Sequence, residues 1–121
     1  MALPVNWKQV PVVGGYVGLD GKPIAKGRLT FTSKTTVAIG GKVIVPKEIT
    51  FILDSEGQLP AGAMIPTTND PDLSQNSWMY TVHETWKGGR KKFTIVVPFD
   101  SNELDMSTVL PSGPVDELAT L

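Results

Sequence analysis

The chain contains no cysteine, which removes disulfides, thiolate metal sites and cysteine nucleophiles at once. It has one histidine, His83, too few for most metal or histidine-based catalytic sites. No apolar run approaches the roughly 20 residues that a membrane span requires. Charge of neither sign dominates: 11 Lys and Arg against 12 Asp and Glu leave a net charge of −1. No global basic field therefore draws the chain to nucleic acid or to an anionic membrane. The nucleophile elbow GxSxG, the phosphate-binding glycine loop and the HExxH helix are all missing. MALPVNWKQVPVVGG lacks the charged-then-apolar layout of an export signal, and Pro4 and Pro11 interrupt it. These absences lead us to expect a soluble protein made in a reducing cytoplasm, without metal or cofactor.

What is present reads as β throughout. At 121 residues the chain has room for one core and not two. The 12 Gly and 10 Pro punctuate short runs rich in Val, Ile, Thr and Phe. Val10 to Leu19 reads as a first strand carrying a bulge at Gly14-Gly15. Asp20-Gly21 signals a tight type I′ turn. GRLTFTSK (Gly27 to Lys34) alternates, with Leu29 and Phe31 on one face and Arg28, Thr30 and Thr32 on the other. TTVAI and KVIVPK flank Gly40-Gly41, a second hairpin signal. EITFILD, WMYTVHETW and KFTIVVPF complete the set. The pattern predicts an all-β, antiparallel β-sandwich of six to eight strands. DSNELDMSTVL holds one short helical turn at most, from the capping-box spacing of Asp100 and Glu103. The predicted division is an N-terminal arm (1–8) with an exposed Trp7, a sandwich domain (9–108) and a C-terminal tail (109–121).

The stretch TTNDPDLSQNSWMYTVHETW (Thr67 to Trp86) crowds together the residues most suggestive of chemistry. Strand alternation places Trp78, Tyr80, Val82, Glu84 and Trp86 on one face and Met79, Thr81, His83 and Thr85 on the other. His83 and Glu84 then point apart and form no acid–base pair. Asn69 and Asp70 ahead of Pro71 read as turn formers, and Asp70 with Asp72 lacks the remaining ligands of a calcium loop. Glu84 either guards a sheet edge or pairs with Lys or Arg on a neighbouring strand. KGGRKK (Lys87 to Lys92) reads as a basic hairpin tip, a solvated turn or a contact surface formed by Arg90, Lys91 and Lys92. It has no interleaved aromatics, so specific nucleic-acid binding is not expected. Trp78, Tyr80 and Trp86 suit core packing better than an outward sugar-stacking platform. No catalytic residue is assigned.

In their order, these signatures resemble small β-sandwich modules of bacteriophage virion structural proteins, of the minor tail and fibre type. The shared features are the turn at Asp20, Gly21 and Pro23, and the turn at Leu53, Asp54 and Gly57. They continue with the loop at Ile65, Pro66 and Asp70 to Asp72, and end in the strand Trp78 to Glu84. The likeness covers about residues 10 to 110 and extends more distantly to Ig-like and prealbumin-like sandwiches. It implies a non-enzymatic module, present in many copies in the virion and held by other capsid or tail proteins. The alternative reading of another class is a host-polysaccharide-binding module that uses outward aromatics, with a host surface glycan as its partner. No coiled or fibrous extension follows Pro111, so a capsid decoration or accessory role is expected ahead of a fibre. Trp7, Leu110, Leu118 and Leu121 are the expected docking contacts.

Overall fold

The computed structural model describes residues 7–119. The described residues are all-β, a sandwich-like arrangement of ten strands with no helix, and none therefore forms a membrane-crossing helix. In chain order these are β1 (Gln9–Val13), β2 (Arg28–Thr32), β3 (Val37–Ile39), β4 (Lys42–Ile44) and β5 (Ile49–Ile52). They are followed by β6 (Met64–Pro66), β7 (Tyr80–Trp86), β8 (Gly89–Ile95), β9 (Leu104–Asp105) and β10 (Asp116–Ala119). One sheet runs β10-β8-β7-β2-β5, a second β6-β1-β9, and β3-β4 stands as a separate hairpin. Pairing is antiparallel except between β1 and β9, which is parallel.

Three short strands escape a reading by alternation: β6, β9 and β10. Each is two to four residues long, too short for a period of two to register. The single helical turn allowed for at Asp100 and Glu103 does not form; Leu104 and Asp105 pair with β1 instead.

Alternation on the longer strands decides the core. Leu29 and Phe31 of β2, Tyr80 and Val82 of β7, and Phe93 and Ile95 of β8 are buried. They meet Val10 and Val12 of β1, Ile65 of β6 and Leu104 of β9 in one apolar cluster. Edge-to-face rings tie this together: Phe31 lies 5.8 Å from Tyr80, and Tyr80 lies 4.9 Å from Trp78. Polar bonds join the sheets as well, since Tyr80 Oη donates to the Pro66 carbonyl at 2.8 Å.

Two loops repeat one turn design. The Gly21 amide donates to the Gly18 carbonyl and the Gly18 amide to the Lys22 carbonyl. The Gly57 amide donates to the Asp54 carbonyl, and the Asp54 amide to the Gln58 carbonyl. Each is a three-residue loop closed by a left-handed glycine, with φ of 80° at Gly21 and 73° at Gly57. The type I′ turn expected at Asp20-Gly21 does not form, because Asp20 keeps a negative φ. Gly40 and Gly41 do adopt positive φ together, 58° and 76°, as the hairpin signal between β3 and β4 requires.

Both terminal segments are tied to the rest of the domain and, contrary to expectation, Trp7 is not exposed. Trp7 is 5% exposed, and its indole Nε1 donates to the Thr67 carbonyl at 2.9 Å. The Lys8 amide donates to Asp70 Oδ2 at 3.0 Å, and Lys8 Nζ to the Phe99 carbonyl at 2.6 Å. At the other end, the tail places Asp116–Ala119 against β8 as an edge strand. Residues 1–6 and the docking candidate Leu121 lie outside the described residues.

Candidate functional site

The stretch from Thr67 to Trp86 resolves into three physical roles. Its first part is a buried polar clamp on the N-terminal segment. Thr67, Thr68 and Asp70 are almost fully buried, and each finds a partner, as burial demands. Thr67 Oγ1 donates to the Lys8 carbonyl at 3.0 Å, and Thr68 Oγ1 accepts from the Val97 amide at 3.0 Å. Asp70 accepts from its own loop at the Asp72 amide (3.0 Å) as well as from Lys8. This is the turn chemistry expected of Asp70, with a long-range contact added. Among the described residues no group of three or more acidic, histidine or cysteine side chains is placed to hold a metal.

The second part is the aromatic core. Trp78 and Tyr80 are buried, and Trp78 packs edge-on to Trp7 with ring centroids 6.5 Å apart. Trp86 is half-buried and lies across its cross-strand neighbour Gly89, where a side chain would meet the indole. An outward sugar-stacking platform from Trp78 and Tyr80 is therefore excluded by burial. Trp7 is likewise turned inward, so the exposed docking contact expected of it is corrected: its ring is spent on Trp78 and Thr67.

The third part is strand β7, where inward and outward residues diverge. His83 faces outward and Glu84 inward, as alternation requires. Glu84 is 5% exposed, accepts a hydrogen bond from the Tyr16 hydroxyl and stands opposite Lys91 in the β7–β8 register. Burial foremost, then the bond to Glu84 and its charge, push the Tyr16 hydroxyl pKa well above its ordinary value. Burial alone does the same for Tyr80.

The basic run is not confined to a hairpin tip. Only Lys87 and Gly88 form the turn, and Gly89 onward belongs to β8. Alternation then splits the cluster. Arg90 and Lys92 point out, while Lys91 turns in, with its Nζ 5.1 Å from the Phe93 ring centroid. Of the other expected docking residues, Leu110 is 84% exposed and Leu118 pairs through its backbone with Arg90.

Sequence reasoning missed two surface features. The first is a pair of exposed apolar patches: Val17 and Leu19 in the loop after β1, and Val43 in β4 with Val45 just after it. For Val17 and Leu19 the signal was a strand-like run extended past the glycines that follow β1. The second is the outer face of the five-stranded sheet, which gathers residues from five separate strands. Its register is set by tertiary pairing, so no single stretch announces it. No protein-family model matches this chain, and neither a curated protein nor a solved structure matches it.

Proposed function

We propose that this chain is a non-enzymatic structural protein of a bacteriophage virion, docking on a larger particle as a capsid decoration or accessory protein. A minor tail, baseplate or fibre-attachment position is the alternative location. The observation that carries the reading is where the exposed apolar surface sits. Leu19 and Val17 crown one loop, and Val43 in β4 with Val45 just after it form a second exposed apolar patch. The two lie at opposite ends of the main sheet. Tyr16, beside the first tip, reaches Glu84, level with Leu29 at the start of β2. Ile44 and Val45, in the second, border a groove with Ile49 and Tyr80 where β2 finishes. Exposed apolar patches at both ends suit a piece seated between neighbours, and each buries surface worth roughly 25 cal/mol per Å² on contact. Repeated over many copies, such weak contacts become durable through effective concentration. Leu110 adds a further exposed apolar contact.

The test is the position and number of copies in purified particles. Immunogold electron microscopy should label the capsid, and a gel of purified virions should give on the order of hundreds of copies. A few dozen copies confined to the tail would move the chain to the alternative location. Absence from particles would refute the reading. Leu19→Lys with Val43→Lys should prevent incorporation while the β circular-dichroism spectrum stays unchanged.

A further inference from the structure

The outer face of the five-stranded sheet is polar, open and cationic. Register across the strands lines up Asp116, Lys92, His83, Thr30 and Thr50 in one row. A second row holds Arg90, Thr85, Arg28 and Ile52, and a third Thr94, Thr81 and Thr32. With strands about 4.8 Å apart and alternate residues about 7 Å apart, Arg90 falls about 7 Å from Lys92 and about 10 Å from Arg28, and Arg28 about 12 Å from Lys92. All three are exposed. Among the described residues, none of the three is engaged by a side-chain hydrogen bond or ion pair. Asp116 is the one acidic side chain that faces them in these rows. A shallow hollow of about 250 Å³ opens here, bordered by His83, Glu84, Thr85, Arg90, Lys91, Lys92 and Asp116, so that four basic or imidazole side chains stand against two carboxylates.

We propose that this face binds an acidic polysaccharide, with carboxylate-bearing sugars seated in the hollow between β7 and β8. The cations select a negative polymer. Threonine hydroxyls both donate and accept, which matches a sugar's own hydroxyls. The face carries no Phe, Tyr or Trp ring, and the single His83 imidazole is no platform for a run of unpaired bases. Nor does it project a helix or ribbon of the kind that enters a duplex groove. Glycan binding here uses charge and hydroxyls in place of the buried tryptophans. It holds for this sheet face whether or not the chain is carried on a virion, so failure of either reading leaves the other standing.

The experiment is isothermal titration calorimetry of the full chain with polygalacturonate, neutral dextran and a 20-nucleotide oligothymidylate, at 50 and 200 mM NaCl. Polygalacturonate should bind at least tenfold more tightly than either comparator. Its log affinity should fall against log salt with a slope of about −2, the value for three cation contacts on a flexible polyanion. Arg28→Gln, Arg90→Gln and Lys92→Gln combined should lower the affinity at least tenfold. Lys34→Gln, Lys42→Gln and Lys47→Gln combined make the same charge change elsewhere and should leave it within twofold. Thr85→Val should weaken binding about threefold without altering the salt slope. The proposal is overturned by no binding to polygalacturonate, or by oligothymidylate binding as tightly. Equal loss in the two triple variants, or an unaffected Thr85→Val chain, overturns it as well.

Discussion

Trp7→Ala measures whether the N-terminal segment is core or arm. The indole is 5% exposed, packs edge-on to Trp78 and donates to the Thr67 carbonyl. Truncating a core tryptophan costs about 3–5 kcal/mol in lost transfer energy and residual cavity. A domain of 121 residues has a total stability of roughly 6–18 kcal/mol, so the loss consumes a large share of it. For this size, each 1 kcal/mol lowers Tm by about 3–6 °C, giving an expected drop of roughly 10–25 °C. Trp7→Phe keeps most of the ring and removes the N–H, and should cost about 1–2 kcal/mol. Urea unfolding followed by the emission of Trp78 and Trp86 reads both variants, with an unchanged m-value marking a true stability change. An exposed arm would lose under about 0.5 kcal/mol on Trp7→Ala. That outcome would refute the packing argument and restore Trp7 as a docking contact.

Gly57→Ala and Gly62→Ala form a matched pair, because both glycines have left-handed φ, 73° and 83°. A Cβ at Gly62 meets nothing, whereas one at Gly57 meets the Tyr16 carbonyl oxygen and lies 3.0 Å from the Ile24 amide. Chemical denaturation should give about 1 kcal/mol for Gly62→Ala, the left-handed strain alone, and more than about 2 kcal/mol for Gly57→Ala; equal losses would contradict the clash. Alkaline pH should also destabilise the fold. Tyr16 and Tyr80 have folded pKa values raised above the ordinary 10.0, so their contribution is complete below pH 10 and is lost as pH rises through the folded values. Unfolding free energy should fall above about pH 10 by up to about 1.4 kcal/mol per pH unit for each tyrosine. Tyr16→Phe should remove its share of that slope, and an unchanged slope would exclude Tyr16 as a source.

Much of the fold was legible because it rests on local periodicity. Leu29 and Phe31, or Tyr80 and Val82, alternate with threonines, and alternation of side chains across a strand is a property of the backbone. The same rule separated His83 from Glu84, and turned Trp78 and Tyr80 inward. Gly40-Gly41 announced its hairpin because two successive positive φ values favour glycine.

The remainder depended on partners distant in sequence. Trp7 looked like an exposed arm because its burial comes from Trp78 and the Thr67 carbonyl, about 60–70 residues away (|i−j| of 60 for the hydrogen bond). Thr67, Thr68 and Asp70 read as loop residues until Lys8 and Val97 closed on them. KGGRKK looked like one basic cluster, and only the strand register divided it into outward Arg90 and Lys92 and inward Lys91. The cationic face exists because β2, β7, β8 and β10 lie side by side, a pairing that no local pattern encodes. Sequence alone determined which face of the longer strands β2, β7 and β8 is apolar, since that follows from a period of two. Tertiary structure alone decided which strands are neighbours, because that choice is made by burial and hydrogen bonding between segments far apart in the chain.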